Sequence, residues 1–318
     1  MELKKLGNTD IWVTPIGFGV LTIGKTQLNL SLEEGARLIR YGLSQGINFL
    51  DTAQYYETYP YIRQALMGTD HEPVIASKCL GYTYKDMEIA IEEARRELDR
   101  DVIDIFLMHE VRHEGDFENR SGAWACLADA KAKGKIRAMG ISTHHVDVAE
   151  QMASVEECEL LFPLINKEGL GIRKGNGPGS AEDMARAIRA NALAGKGVFA
   201  MKVLGGGNLS AGYWDCMNYV SSLEGITSIM LGFGKKEEVD VAVSFGEGTL
   251  HQGYAPDISA KKMFIDQGDC EACGRCLKRC PNHAITWNGS GLAEIDHEIC
   301  ITCGYCAPVC PVRAILMY

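Results

Sequence analysis

Eight of the chain's twelve cysteines fall in its last 49 residues, in one pattern written twice. Cys270, Cys273, Cys276 and Cys280 precede Pro281; Cys300, Cys303, Cys306 and Cys310 precede Pro311. Each copy reads C-x2-C-x2-C-x3-C-P, the spacing of a 4Fe–4S site. Three thiolates at two-residue intervals wrap one cubane, and the fourth reaches the other cluster. The pattern therefore assigns Cys270, Cys273, Cys276 and Cys310 to one cluster, and Cys300, Cys303, Cys306 and Cys280 to the second.

A disulfide framework is the first rival, but it requires an oxidising compartment. The start, Met1-Glu2-Leu3-Lys4-Lys5, runs into a folded-looking segment without the apolar stretch of a secretory leader. Zinc sites also use C-x2-C pairs, but two three-cysteine runs, each with a trailing Cys-Pro, do not suit tetrahedral zinc. Residues 265–318 resemble a two-cluster bacterial ferredoxin, which implies a small α+β iron–sulfur domain. Such clusters carry single electrons, or they serve as structural staples, since metal binding itself supplies folding energy.

The 318 residues allow one large domain and a small one. Residues 265–318 hold six acids against four Lys/Arg, and the remainder 36 against 28, so the net charge of −10 divides as −2 and −8. Neither part has the basic excess that favours nucleic acid or anionic lipid. No stretch is long and apolar enough to span a bilayer. The expectation is a soluble, cytoplasmic protein without nucleic-acid or membrane partners. Cys79, Cys126, Cys158 and Cys216 are scattered and read as small core residues.

Before the cysteines, short apolar runs alternate with amphipathic stretches. Candidate strands are Ile16–Leu21, Ile47–Asp51, Val74–Lys78, Ile103–Met108, Ile136–Ile141, Leu160–Leu164, Val198–Lys202 and Ser228–Leu231. Helical patterns separate them; Met87, Ile91, Ala94 and Leu98 show the spacing of one buried face. Eight strand–helix pairs point to a (β/α)8 TIM barrel, with an open doubly wound sheet as the alternative. Met1–Val13, with Gly7-Asn8 near its turn, reads as a hairpin plugging the barrel bottom. Gly169–Gly179 is glycine-rich and reads as a mobile loop on the active face. Gly246–Asp257, with little periodicity, reads as a connection. The expected division is a barrel over 1–250, a linker over 251–264 and the iron–sulfur domain over 265–318.

Chemistry in such a barrel sits at the C-terminal strand ends. The second strand ends in Asp51, with Tyr56 five residues on; the third ends in Lys78; the fourth is followed by His109. An ammonium beside a phenol favours phenolate, so Lys78, held by Asp51, is expected to lower the pKa of Tyr56. His109 is placed to orient a carbonyl or assist proton transfer.

Gly46-Ile47-Asn48-Phe49-Leu50-Asp51-Thr52-Ala53 with Tyr56, Ile75-Ala76-Ser77-Lys78, Asp104-Ile105-Phe106-Leu107-Met108-His109 and Gly134–Ser142 together resemble the aldo-keto reductase signatures, across most of residues 1–245. The resemblance implies Tyr56 as general acid/base within a tetrad of Tyr56, Lys78, Asp51 and His109. It also implies a nicotinamide cofactor, usually NADPH, bound without a Rossmann domain. Cofactor positions carried over are Ser142, Asn166 in place of the usual Gln, Lys202, Leu204, Gly205, Gly206, Gly232, Gly234 and Lys235. Thr143 replaces the family's Asn, and the Glu-Asn pair that holds adenine is the apolar Val241-Ala242. Lys235 and Lys236 are the local cations for a 2′-phosphate, which favours NADPH over NADH.

The expected function is an oxidoreductase interconverting a carbonyl and an alcohol by hydride transfer, with two 4Fe–4S clusters for electron transfer. The expected partners are a small carbonyl or alcohol substrate and a redox protein. Hydride moves two electrons and each cluster one, so two other readings stand. One is an electron-transfer subunit whose tetrad is auxiliary. The other is a barrel scaffold without a working cofactor site.

Overall fold

Eight parallel strands close into a barrel: Ile16–Gly19, Phe49–Asp51, Val74–Cys79, Ile103–Val111, Ile136–Thr143, Leu160–Pro163, Gly197–Ala200 and Ile226–Leu231. The computed structural model of the chain describes residues 1–318 apart from 26, 114, 250–253, 255, 257–261, 308, 313 and 318. Parallel strands covered by helices are buried on both faces and read as unbroken apolar runs, which is why Val74–Cys79 and Ile103–Val111 are buried along their whole length. Phe49, Ala76, Ile105, Leu107, Phe162 and Phe199 fill the barrel, with the Phe162 and Phe199 rings stacked at 4.2 Å. Alternate residues such as Ile75 and Phe106 face the helices.

The helices begin where the sequence caps them. Ser31 with Glu34, and Thr83 with Asp86, form capping boxes that start Leu32–Ser44 and Tyr84–Leu98. The second of these buries Met87, Ala90, Ile91, Ala94 and Leu98 on one face. At the bottom, Lys4–Lys5 pairs with Trp12–Val13, and Leu6, Ile11 and Val13 join the interior core as the plug. Gly7 makes the turn at φ +59°, where a side chain would overlap the Gly197 backbone.

Several edges differ from the sequence expectation. The first strand stops at Gly19, and Val20–Ile23 winds into a 3-10 turn. The seventh stops at Ala200, leaving Lys202 beyond it in a left-handed backbone conformation, φ +61°. The fourth runs on to Val111 through an irregularity after Met108, with Glu110 at φ +51°. The glycine-rich segment is tied down: Arg173–Lys174 pairs with Gly177–Pro178, and the Arg173 amide donates to the His144 carbonyl at 2.9 Å. The linker expected over 251–264 lies largely outside the described residues.

The C-terminal unit repeats itself in structure as in sequence. Met263–Ile265 pairs with Ile315–Met317, and Ile285–Trp287 with Ala293–Ile295, both antiparallel. The Asp266 amide donates to the Ala314 carbonyl at 2.7 Å and the Asp296 amide to the Ala284 carbonyl at 2.8 Å, matching positions in the two halves. Ile265, Ile285, Ile295 and Ile315 form its core with cysteines from both copies.

Candidate active site

The three strand ends named from the sequence meet at the top of the barrel. Lys78 points inward from the third strand, fully buried, and donates to Asp51 Oδ1 and the Thr52 carbonyl, both at 2.6 Å. A 3-10 turn, Gln54–Tyr56, swings the Tyr56 ring back over the site, 4.9 Å from Lys78 Nζ. The irregularity in the fourth strand turns His109 inward, as bulges beside active sites do. Its Nε2 lies 3.4 Å from the Tyr56 hydroxyl.

Burial governs the charges here. Burial pulls both members of the Asp51–Lys78 pair toward neutrality, carboxyl up and ammonium down, against their mutual attraction. Burial, then Tyr305 and the Asp51 carboxylate, raise the Tyr56 phenol well above its ordinary value. The expected lowering by Lys78 is thus outweighed, and Tyr56 keeps its proton. Burial, followed by the positive charge of Lys78, Arg279 and Arg120, keeps His109 neutral.

The site also receives side chains from the C-terminal unit. Tyr305, between Cys303 and Cys306, brings its hydroxyl 3.1 Å from His109 Nε2, while its carbonyl accepts from the Tyr55 hydroxyl at 2.9 Å. Arg279, beside Cys280, pairs with buried Glu110 at 3.1 Å and lays its guanidinium 4.7 Å from the Tyr305 ring centroid. Arg120 pins the strand ends beneath: its fully buried guanidinium donates to the carbonyls of Gly81, Cys79 and His109 at 3.0–3.2 Å. Sequence reasoning missed Tyr305, Arg279, Glu110 and Arg120. The one available signal was a break in the repeat, since Cys273-Gly274-Arg275-Cys276 becomes Cys303-Gly304-Tyr305-Cys306.

Beside the tetrad opens a pocket of about 190 Å³. Lys202, Leu204, Gly206 and Gly232 line it together with Asp51, Tyr56, Thr302 and Tyr305. The other cofactor candidates lie outside its wall. Ser142 Oγ accepts from the Glu110 amide at 2.9 Å. Asn166 is engaged with Leu170 through both ends of its amide. Gly205 is buried, Gly234 donates its amide to Glu238 at 2.6 Å, and Lys235 precedes the helix Lys236–Gly246. Gly206, at φ +70°, presses against the cluster loop; a methyl there would overlap the Ile301 carbonyl oxygen. Thr302 Oγ1 donates to the Gly206 carbonyl, and Asn208 Nδ2 donates to the Cys300 carbonyl at 2.6 Å. Glycine at 206 thus has a packing reason of its own.

The eight motif cysteines gather in two further pockets. Cys270, Cys273, Cys276 and Cys310 line one; Cys280, Cys300, Cys303 and Cys306 line the other. Cys280 Sγ and Cys310 Sγ each accept a backbone amide, from Ala284 and Ala314, at 3.3 Å. Four thiols to a pocket, with amides directed at sulfur, is a donor set that fits an iron–sulfur cluster. Cys273 is exposed, whereas Cys303, at the matching position of the second copy, is buried in the barrel's core cluster.

The profile of the aldo/keto reductase family matches residues 15–219, and that of a 4Fe-4S dicluster domain matches residues 263–317. Among characterised relatives, L-galactose dehydrogenase of Arabidopsis thaliana is 26% identical over 46% of this chain and 50% of its own length. The 6-dehydroglucose reductase of Novosphingobium aromaticivorans is 24% identical over 45% and 52%. The chain thus spans about half the length of the curated relatives it matches. An aldo-keto reductase from Bacillus halodurans, solved in its holo form, superposes with a TM-score of 0.62 at 17% identity, over 77% of this chain and 90% of that one. At that identity the likeness establishes the barrel fold alone. No helix among the described residues is long and apolar enough to cross a membrane. With the profile covering well over half of its length, the chain belongs to the aldo/keto reductase family of oxidoreductases and carries a 4Fe-4S dicluster domain at its C-terminal end.

Proposed function

We propose that the barrel interconverts a small carbonyl compound and its alcohol, with Tyr56 as the proton donor in reduction. The observation that carries this reading is the approach of the Tyr56 hydroxyl and His109 Nε2, 3.4 Å apart, beside the Lys78–Asp51 pair at the pocket wall. A phenol kept protonated by burial is a proton donor, and neutral His109 is suited to orient an oxygen rather than to carry charge. A nicotinamide cofactor, NADPH or NADH, supplies the hydride when bound. Lys202, Leu204, Gly206 and Gly232 are the residues that would hold it. Ser142 and Asn166, expected at the carboxamide, are not among the lining residues; Ser142 Oγ accepts from the Glu110 amide and Asn166 bonds the Leu170 backbone. The names of two relatives make sugar-sized carbonyl compounds the first class to screen.

On the same reading, the cysteine pockets hold two 4Fe–4S clusters, one in each, and a redox protein exchanges electrons with them. The alternative, an electron-transfer subunit with an auxiliary tetrad, draws on the contact between the Cys303–Cys306 loop and the catalytic pocket. Adding NADPH to anaerobic protein separates the two. Bleaching of the cluster absorbance favours electron exchange with the barrel site. Intact clusters with steady carbonyl reduction favour a separate role.

The test of the carbonyl reading is Tyr56→Phe, which removes the proton donor and keeps the ring. Turnover should fall at least about a hundredfold with cofactor binding retained. Undiminished turnover on a verified substrate would remove Tyr56 from the mechanism.

A further inference from the structure

Tyr305 belongs by sequence to the iron–sulfur unit and by position to the barrel. Its hydroxyl and that of Tyr56 both approach one atom, His109 Nε2, at 3.1 and 3.4 Å. One imidazole nitrogen offers either a single N–H or a single lone pair. If it donates, both phenols keep their O–H for another acceptor. If it accepts, it satisfies one phenol and leaves the other. The two phenols also bond each other, so with Nε2 donating, one phenolic O–H is free and the second is released when a carbonyl oxygen replaces the neighbouring phenol as its acceptor; both phenols line the same pocket. A carbonyl oxygen, with two lone pairs, is an acceptor that two phenols can share.

We propose that the Tyr305 hydroxyl is a second hydrogen-bond donor to the substrate's carbonyl oxygen, so that the catalytic site is assembled from both units of the chain. The proposal rests on the carbonyl reading above and adds a residue to it. As hydride arrives, a C–H bond forms at the carbonyl carbon and the C=O π pair moves to oxygen. That oxygen takes its proton from Tyr56, while Tyr305 donates a hydrogen bond and keeps its own. The carbonyl is reduced and the nicotinamide oxidised, with no further reactant needed.

The position of Tyr305 is built rather than incidental. Its carbonyl accepts from Tyr55, its ring lies under the Arg279 guanidinium, and Arg279 is fixed by Glu110. The same loop is held by Thr302 on the Gly206 carbonyl and by Gln27 Nε2 on the Thr302 carbonyl at 3.2 Å. A donor fixed before charge develops on oxygen is the arrangement that stabilises an oxyanion without reorganisation. Because Cys303 and Cys306 flank Tyr305, the metal that orders this loop also orders the carbonyl site. The corresponding residue of the first copy, Arg275, is exposed.

The test uses the full chain with its clusters in place, NADPH, and 4-nitrobenzaldehyde as the probe. Tyr305→Phe keeps the ring against Arg279 and Tyr55 and removes only the hydroxyl; Tyr305→Leu removes both. The proposal expects both variants to lose about a hundredfold in kcat, the cost of one oxyanion donor, with KM much less affected. It also expects the carbonyl stretch of the bound probe, read by infrared difference in protein without NADPH, to move to higher frequency in Tyr305→Phe. The cluster EPR signals should match wild type. If Tyr305→Phe keeps both kcat and the carbonyl stretch, while Tyr305→Leu loses activity, the residue acts by packing and the proposal is overturned. Tyr56→Phe run in parallel separates the two claims. An inactive Tyr56→Phe beside a fully active Tyr305→Phe overturns the Tyr305 proposal alone, whereas an active Tyr56→Phe overturns the carbonyl reading beneath it.

Discussion

Arg279 of the iron–sulfur unit and Glu110 of the barrel form a buried ion pair, 3.1 Å from Nη1 to Oε2, across the junction of the two units. Glu110 also pairs with Arg112 at 2.6 Å, yet its other oxygen has no hydrogen-bond partner among the described residues. Burial raises its carboxyl to about 7, against the pull of Arg279, His145 and Arg120.

That displacement fixes a pH dependence. Between an unfolded value near 4.5 and a folded value of about 7, the native state holds a proton that the unfolded chain has released. The contribution is full below about pH 4.5 and is lost as pH rises through 7, with a slope of at most about 1.4 kcal/mol per unit. His144 and His145, lowered by burial to about 3 and about 4, act in the opposite sense, costing stability as pH falls below 6.5. Glu110→Gln should therefore remove only the decline toward pH 7. Denaturation of wild type and variant at several pH values checks this: their stability difference should drift steadily from pH 4.5 to 7, and a constant difference contradicts the assignment.

Lys78→Met should damage both chemistry and folding. It leaves Asp51 buried without its partner, and breaking a buried pair costs about 3–5 kcal/mol. Denaturation should show that loss, and turnover should fall with it. A variant as stable and as active as wild type would mean that the pair does not support the site.

Cys280→Ala should impair the cluster of Cys300, Cys303 and Cys306 rather than its sequence neighbour, because Cys280 lines that pocket. Cys310→Ala should impair the other. Iron content and EPR of the reduced proteins after anaerobic reconstitution distinguish them. Opposite losses would reverse the assignment, and zinc in place of iron would end it.

Gly206→Ala should loosen the seating of the cluster loop. Gly206 and Gly248 both have positive φ, +70° and +73°, but a methyl at Gly206 meets the Ile301 carbonyl and one at Gly248 meets nothing within 4 Å. Both alanine variants bear the left-handed backbone cost, about 1–2 kcal/mol. Gly206→Ala should lose about a further 1–3 kcal/mol from overpacking. Equal denaturation midpoints for the two would show that the contact carries no energy.

The barrel was legible because its strands are buried on both faces and its helices on one, so hydrophobic period alone separates them. The ends of strands were less so. His109 was expected just after a strand ending at Met108, yet pairing resumes at Val111 across an irregularity that no apolar pattern marks. Asp51, Lys78 and His109 were readable as a group because neighbouring parallel strands place their ends together. Tyr305 was not, because it reaches His109 only through docking of segments 196 residues apart in sequence. Arg120 gave no sign either, since its guanidinium is spent on backbone carbonyls that only the folded strand ends present together.

The two halves of the iron–sulfur unit share one motif but not one environment. At matching positions, Cys273 is exposed whereas Cys303 is buried in the barrel's core cluster. Clusters held in both pockets would make the formally symmetric pair polar, with the Cys273 side open to solvent and the Cys303 side covered by the barrel. Dissolved oxygen would then meet the Cys273 side first, and oxidative decay should run from there toward the loop that carries Tyr305.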